Sequence, residues 1–164
     1  MKKLFPALQR LRTVCVFILI SFSFLQTGFA QSSDQKGWLK SDNSTLAKNK
    51  RIVYDFWREV LEAGHLELAE KYMKESYIQH NPNVPTGRQG FIDFFSKIRK
   101  PQPIVDSIKG PLIAILAEGD RVVLVFKREL NEPNDTSKKY LTHSFEMLRI
   151  EDGKVAEHWD SATK

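Results

Sequence analysis

The residues best suited to acid/base chemistry lie near the end of the chain, between Tyr140 and Asp160. Glu146, His158 and Asp160 stand there in an otherwise alternating apolar pattern, which is typical of strands whose successive side chains point to opposite faces. His158 and Asp160 are two residues apart and share a face, so they could act as a base and the carboxylate that orients it. A carboxylate buried in an apolar cavity becomes a stronger base. We therefore predict Glu146, His158 and Asp160 as catalytic candidates.

A fourth catalytic candidate, His80, comes from an earlier part of the chain. It follows the extended run Tyr77-Ile78-Gln79 and precedes residues 81–87, whose two prolines and glycine prevent a regular element. Such junctions often form the rim of a pocket, although a histidine that only caps the junction is an alternative. Five aromatic side chains are predicted to bind a ligand in the pocket: Tyr54, Trp57, Tyr77, Phe95 and Trp159. For Tyr54 and Trp57, core packing is the competing interpretation.

Two other interpretations of the polar residues stay open. A buried carboxylate such as Glu146 can accept hydrogen bonds from an arginine or a helix end in a purely structural role. Metal binding is a weaker alternative, because no H-x-x-x-H spacing is present, and we predict no metal site. The ligands of such a site would be His80, His143, His158 and Asp160.

The elements that must position these residues follow a segregated order, with helices before strands. Asn43 or Ser44 is predicted to cap a first helix that ends at Gly64. Its apolar stripe consists of Val53, Phe56, Trp57, Val60 and Leu61. Two shorter helices are predicted at about 66–73 and 88–98.

Residues after Pro103 have the composition of a β-sheet. We predict about four long antiparallel strands, and we expect residues 131–139 to form a polar loop. Helices followed by strands indicate an α+β domain. The predicted strands cover residues 104–116 with an interruption, 122–130, 142–150 and 154–160, and the last two form a hairpin around a tight turn at 151–153.

The first thirty residues predict a secretory signal peptide. Residues 1–12 contain four basic residues and no acidic one, residues 14–25 are almost wholly apolar, and small residues precede a cleavage site after Ala30. An uncleaved membrane anchor would need an apolar run of about 18–20 residues. The apolar run at 14–25 has only 12 residues, which favours a signal peptide over an anchor. The protein is therefore predicted to be exported to the periplasm or the exterior, with no membrane attachment after cleavage. Residues 31–43 are polar and are predicted to be a flexible lead-in.

Charge and cysteine content exclude several classes of function. Without residues 1–30 the formal net charge falls from +5 to +1, so the basic pI reflects the targeting segment and no nucleic-acid partner is expected. The single cysteine, Cys15, lies in the same segment, which excludes disulfides and thiolate sites from the mature protein.

Three motifs in sequence order resemble the SnoaL-like branch of the nuclear-transport-factor-2-like (NTF2-like) superfamily. They are Tyr77–Pro82 with the glycine and phenylalanines that follow it, Ala117–Val122, and Leu148–Asp160. The resemblance implies a cone-shaped α+β domain over residues 44–164, in which a curved antiparallel sheet wraps an N-terminal helical layer around a pocket. It also implies a homodimer formed through the other face of the sheet.

The resemblance further implies acid/base chemistry without a cofactor. The family includes cyclases that close a ring by intramolecular aldol condensation, and its usual aspartate stands three residues before an arginine of the last hairpin. Here that position is Glu146, before Arg149. We predict a cyclase-type or isomerase-type enzyme acting on a small hydrophobic carbonyl compound. The alternative is a non-catalytic module of the same fold that binds a small ligand or forms a dimeric interaction surface.

Overall fold

The computed structural model describes residues 34–162, and the predicted signal peptide lies outside the described residues. This part of the chain has three α-helices: α1 (Ser44–Phe56), α2 (Ala69–Tyr72) and α3 (Arg88–Phe95). Five strands form one sheet: β1 (Met73–Gln79), β2 (Leu112–Glu118), β3 (Arg121–Glu132), β4 (Asp135–Glu151) and β5 (Lys154–Trp159). Among residues 34–162, no helix has the length and apolar character needed to cross a membrane.

The first helical segment, α1 with the π-helical turn that continues it, begins and ends as the sequence predicts. The Asn43 side chain accepts hydrogen bonds from the backbone N–H groups of Thr45 and Leu46, at 2.9 and 3.2 Å. The chain continues past Phe56 as a π-helical turn, Trp57–Glu62. Gly64 then adopts φ +73°, and a Cβ at this position would lie 2.8 Å from the carbonyl oxygen of Lys100. Only glycine fits this termination without strain.

The strands are arranged in the order β1-β5-β4-β3-β2. All neighbours are antiparallel except β1 and β5, which are parallel. Asp152 and Gly153 have φ values of +53° and +73°, as the predicted tight turn between β4 and β5 requires. The sheet curves around α1, and the α+β cone with an internal pocket is confirmed. Its core includes Val53, Phe56, Val60, Phe91, Leu124, Phe126 and Leu148.

The sequence predicted an extended run at Tyr77–Gln79 but not that this run belongs to a longer fifth strand of the sheet, β1. Its burial pattern is irregular, with two consecutive exposed residues in Glu75 and Ser76, so neither strand alternation nor a helical stripe marks it. The strand forms because β5 offers it a parallel edge, with Gln79 paired to His158. A local pattern cannot reveal a pairing to a strand about eighty residues further along the chain.

Two predicted boundaries in the sheet were wrong. Residues 104–111 are not part of a strand, because the backbone N–H groups of Lys109 and Gly110 donate to the Glu62 carboxylate instead of to a neighbouring strand. Residues 131–139 are not a loop, because β3 and β4 pair through Asn131 and Lys139 and leave only a tight turn. The turn-forming residues are concentrated at its tip.

The predicted flexible lead-in requires correction for its described part, residues 34–43. Leu39 is only 4% exposed and belongs to the hydrophobic core. The Gln35 side-chain amide donates to the carbonyl oxygen of Ile108 at 3.0 Å and accepts from the Ile108 N–H group at 3.0 Å. These long-range contacts attach the segment to the domain, although its polar composition favoured an unattached one.

Candidate active site

The concave side of the sheet and the helical layer enclose a cavity of about 440 Å³. Its apolar floor comes from α1, the π-helical turn, α3 and β3, which place aromatic rings against one another. Trp57 stacks on Phe126 with ring centroids 5.0 Å apart. The apolar lining residues are Phe56, Trp57, Leu61, Val84, Phe91, Phe95 and Phe126. This volume and this lining suit a small hydrophobic compound.

Three of the four predicted catalytic residues meet at one polar wall of this cavity. Glu146 lies on β4, His158 on β5, and Asp160 directly follows β5. Leu148 pairs with His158 across the two strands, so Glu146 is a diagonal neighbour of His158 on the same face. Glu146 and His158 are 7% and 9% exposed. Strand alternation therefore directs both side chains into the cone.

Glu146 and His158 form a buried hydrogen-bonded pair. His158 Nε2 lies 3.2 Å from Glu146 Oε2. The other carboxylate oxygen, Oε1, lies 3.6 Å from Arg128 Nη2. Arg128 is held by a 2.9 Å hydrogen bond from its Nε to the Ser144 hydroxyl. The carboxylate is thus oriented from both sides while it faces the cavity.

A chain of hydrogen bonds fixes the protonation pattern of His158. The backbone N–H of Asn81 donates to Gln79 Oε1 at 3.0 Å, which orients the Gln79 amide. Its nitrogen then donates to the Tyr77 hydroxyl at 2.9 Å and to His158 Nδ1 at 3.0 Å. Because Nδ1 accepts, the proton of the neutral imidazole lies on Nε2 and is donated to Glu146.

This assignment gives a direct prediction for His158. We expect the ¹⁵N spectrum of histidine-labelled protein near neutral pH to show the Nε2–H tautomer at His158, and we expect Gln79→Leu to populate the Nδ1–H tautomer. The reason is that leucine removes the donor that holds Nδ1 unprotonated. The exposed His143 serves as the internal control and should not change. An unchanged His158 signal in Gln79→Leu would contradict the proposed orientation of the amide.

Tyr77 contributes a hydroxyl to the same wall. Its side chain is 1% exposed, and burial together with the nearby Asp160 raises the pKa of the phenol well above its ordinary value. Its oxygen accepts from Gln79, so the hydroxyl proton remains available for donation toward the cavity. Asp160 is oriented by Asn81 Nδ2 at 2.8 Å and by the backbone N–H of Ala162 at 2.9 Å.

Oxygen and nitrogen atoms of Glu146, His158 and Asp160 lie within 4.8 Å of one another and have the chemistry of metal ligands. A metal bound between Glu146 and His158 would need a lone pair on Nε2. The Gln79 amide instead keeps the lone pair on Nδ1 and the proton on Nε2. The arrangement therefore favours a proton-transferring pair over a metal centre.

Several predicted site residues lie away from the cavity. His80 points to the outer side of the sheet, where its Nε2 lies 2.8 Å from Glu157 Oε2 and its ring stacks on Trp159 at 4.4 Å. Neither of these two rings lines the cavity. Tyr54 is core, and its hydroxyl donates to Gln35 at 2.9 Å. Trp57, Tyr77 and Phe95 line the cavity, and their role in ligand binding stays a prediction.

The error at His80 follows from strand alternation. The carbonyl oxygen of His158 accepts a hydrogen bond from the backbone N–H of His80, so β1 and β5 remain in register there. Gln79 therefore points inward and His80 outward. Gln79, Asn81 and Arg128 line the cavity but were not among the predicted site residues. Alternation from Tyr77 would have indicated Gln79, and Asn81 lies within the Tyr77–Pro82 motif, whereas nothing in the sequence marks Arg128.

The mouth of the cavity is bordered by the segment after α3, and His65 anchors that segment. His65 Nδ1 lies 2.7 Å from Glu67 Oε1, and Nε2 lies 2.9 Å from the carbonyl oxygen of Gln102. The hydrogen bond to Glu67, and then the one to Gln102, raise the pKa of the His65 imidazole. Both ring nitrogens act as donors only in the charged form.

This contact makes stability depend on pH in a defined direction. Since the folded-state pKa is raised, His65 stabilises the fold fully below its unfolded pKa of about 6.5, and this contribution is lost as the pH rises through the folded pKa. We expect the melting temperature of the wild type to fall over that interval relative to His65→Gln. The measurement is thermal unfolding from pH 5.5 to 9, with His143→Gln as the matched control. Parallel curves for wild type and His65→Gln would contradict the role of His65.

Comparisons with known proteins support the fold. The chain matches the family model described as SnoaL-like polyketide cyclase over residues 51–163. Among proteins of curated function, no significant match is found. A solved structure from Acidithiobacillus ferrooxidans, provisionally named a polyketide cyclase, is 22% identical with a TM-score of 0.50, covering 74% of this chain and 89% of that one.

Two further solved structures show the same architecture. A protein from Jannaschia sp. CCS1, provisionally named a SnoaL-like polyketide cyclase, is 16% identical with a TM-score of 0.50, covering 74% of this chain and 92% of that one. An NTF2-like protein of unknown function from Burkholderia pseudomallei K96243 is 14% identical with a TM-score of 0.50, covering 71% and 91%. At these identities the similarity establishes the fold alone. Since the family model spans more than half of the sequence, the chain belongs to the SnoaL-like polyketide cyclase family.

Proposed function

We propose that this protein is a cofactor-free acid/base enzyme that removes a proton next to the carbonyl group of a small hydrophobic compound. Reactions of this class include aldol condensation with ring closure, and isomerisation. The observation that carries the proposal is the buried Glu146–His158 pair, which faces a cavity whose remaining walls are largely aromatic. A carboxylate in such surroundings has few competing water molecules.

Glu146 is the proposed base. Its carboxylate takes the proton from the carbon next to the carbonyl, and the electron pair of the broken C–H bond moves onto the carbonyl oxygen to give an enolate. His158 keeps its Nε2 proton and donates a hydrogen bond to one oxygen of this carboxylate, which keeps the carboxylate oriented. The pair can return the proton to a carbon or an oxygen later in the reaction.

Tyr77 is the proposed donor to the enolate oxygen. Its hydroxyl and His158 Nδ1 both lie within 3.0 Å of the same Gln79 nitrogen, so the donor and the base pair are held by one amide. Its raised pKa keeps the phenol protonated across the physiological range. A neutral donor fixed in a buried site stabilises negative charge that develops on oxygen without having to reorganise. Asp160 orients this wall through Asn81.

The expectations of export and of a homodimer remain predictions. The predicted signal peptide lies outside residues 34–162. Apolar side chains on β2 and β4 do project from the outer face of the sheet: Leu116 is 59% exposed, Leu141 60% and Phe145 56%. Exposed apolar residues on one face are compatible with a subunit interface.

The proposal is tested by deuterium exchange, which needs no knowledge of the natural product. The protein is incubated in D₂O with a panel of small apolar ketones and β-keto esters, and loss of the proton next to the carbonyl is followed by ¹H NMR. We expect the folded protein to accelerate exchange of at least one panel member above the rates in buffer and with heat-unfolded protein. Binding without exchange across the whole panel would instead support the ligand-binding module.

A further inference from the structure

Three basic residues line the mouth of the cavity: Arg99 beyond α3, Lys109 before β2, and Arg128 on β3. Arg128 contacts Glu146 and Ser144, and its guanidinium lies 5.3 Å from the centre of the Phe126 ring. Arg99 and Lys109 differ from it. Within residues 34–162, neither of their side chains makes a hydrogen bond or an ion pair, and both residues are exposed.

The three carboxylates that line the same cavity already have partners. Glu62 accepts from the backbone N–H groups of Lys109 and Gly110 at 2.7 and 2.9 Å. Glu146 accepts from His158, and Asp160 accepts from Asn81 and Ala162. Neutral donors therefore satisfy most of the carboxylate oxygens. The positive charges of Arg99 and Lys109 are not matched by a contact to an acidic side chain in the described part of the chain.

Backbone contacts place these two basic residues at the cavity without any charge pairing. The backbone N–H of Arg99 donates to the carbonyl oxygen of Phe95 at 2.8 Å, which extends the end of α3. Glu62 fixes the backbone at Lys109. The mouth therefore presents two cationic side chains, Arg99 and Lys109, in front of an apolar cavity. Such cations attract an anionic ligand over a distance of about one Debye length.

We propose that Arg99 and Lys109 bind the carboxylate of a hydrophobic, carboxylate-bearing ligand, whose apolar body occupies the aromatic cavity. That this ligand is also the substrate rests on the proposed function. In that case the substrate is an amphipathic keto acid, with its carboxylate at the mouth and its reacting carbon beside Glu146. The cavity of about 440 Å³ lies within the range of roughly 300–1,000 Å³ that is usual for pockets that bind small molecules.

The test compares two ligands of equal shape and different charge, 4-tert-butylbenzoate and 4-tert-butylbenzamide, by isothermal titration calorimetry at low salt. We expect the wild type to bind the benzoate about tenfold more tightly than the benzamide, as for a charge-assisted contact. The double variant Arg99→Gln/Lys109→Gln should lose that preference and keep its affinity for the benzamide. Each single variant should lose part of it, and added salt should weaken the preference.

The matched control is Lys97→Gln/Lys127→Gln, which removes the same charge from exposed residues that do not line the cavity. It should retain the preference. The proposal is overturned if the wild type binds the benzamide at least as tightly, if the benzoate does not bind at millimolar concentration, or if the control loses the preference equally.

The binding measurement also separates this proposal from the proposed function. Glu146→Gln should still prefer the benzoate, because Glu146 does not contact the proposed anion site. Preference for the benzoate without deuterium exchange on any panel compound would support the anion site and contradict the proposed enzyme. Deuterium exchange without preference for the benzoate would support the proposed enzyme and contradict the anion site.

Discussion

Glu146→Gln is expected to reduce enzyme-dependent deuterium exchange by about 10²–10⁴-fold, the usual contribution of a positioned general base. Glutamine has nearly the same shape and can still accept the hydrogen bond from His158 Nε2 through its amide oxygen. It cannot take up a proton at physiological pH. The loss should therefore appear in the rate of exchange at saturating ligand, with little change in ligand affinity.

Glu157→Gln is the matched control for this substitution. Glu157 lies on the neighbouring strand β5 but points to the outer face, where it accepts from His80 and Arg149 at 2.8 and 2.6 Å. We expect this variant to retain full exchange activity. If Glu146→Gln, folded as judged by circular dichroism and thermal unfolding, kept the wild-type exchange rate, Glu146 would not be the base.

Phe91→Ala is expected to lower the free energy of unfolding by about 3–5 kcal/mol, the range for a buried phenylalanine. The side chain is 2% exposed and contacts three other rings, with centroids at 5.9 Å from Phe56, 6.0 Å from Tyr77 and 4.5 Å from Phe95. Truncation leaves a void that these rings cannot fill without leaving their positions. The melting temperature should fall by roughly 10–20 °C.

Phe94→Ala provides the control on the same helix. Phe94 is only partly buried, does not line the cavity, and contacts Phe95 edge-on at 5.1 Å. We expect a loss of about 1 kcal/mol or less in urea unfolding. Equal losses in the two variants would show that Phe91 does not hold the floor of the cavity together. The comparison is informative because a domain of this size has only about 5–15 kcal/mol of stability.

Much of the fold was predictable because its signals are local. Asn43 and Gly64 mark the ends of the first helix through capping and positive φ, which depend on a few neighbouring residues. The turn at Asp152-Gly153 is equally local. The boundaries that failed depend on distant partners. The Glu62 carboxylate decides where β2 starts, and the pairing of Asn131 with Lys139 continues the strands through an apparent loop.

The sequence by itself determined that Glu146 shares a face of β4 with Ser144 and Leu148. It also determined that His158 and Asp160 share a face at the end of the chain. Both follow because alternation is a property of each strand's backbone. Only the tertiary structure decided that these two faces meet, since the register of Leu148 against His158 arises from packing across the whole sheet. The parallel pairing of β1 with β5 likewise places Gln79 beside His158, where the sequence had predicted His80 as the site residue. Strand order and register depend on contacts between distant residues, which the pattern of a single strand does not encode.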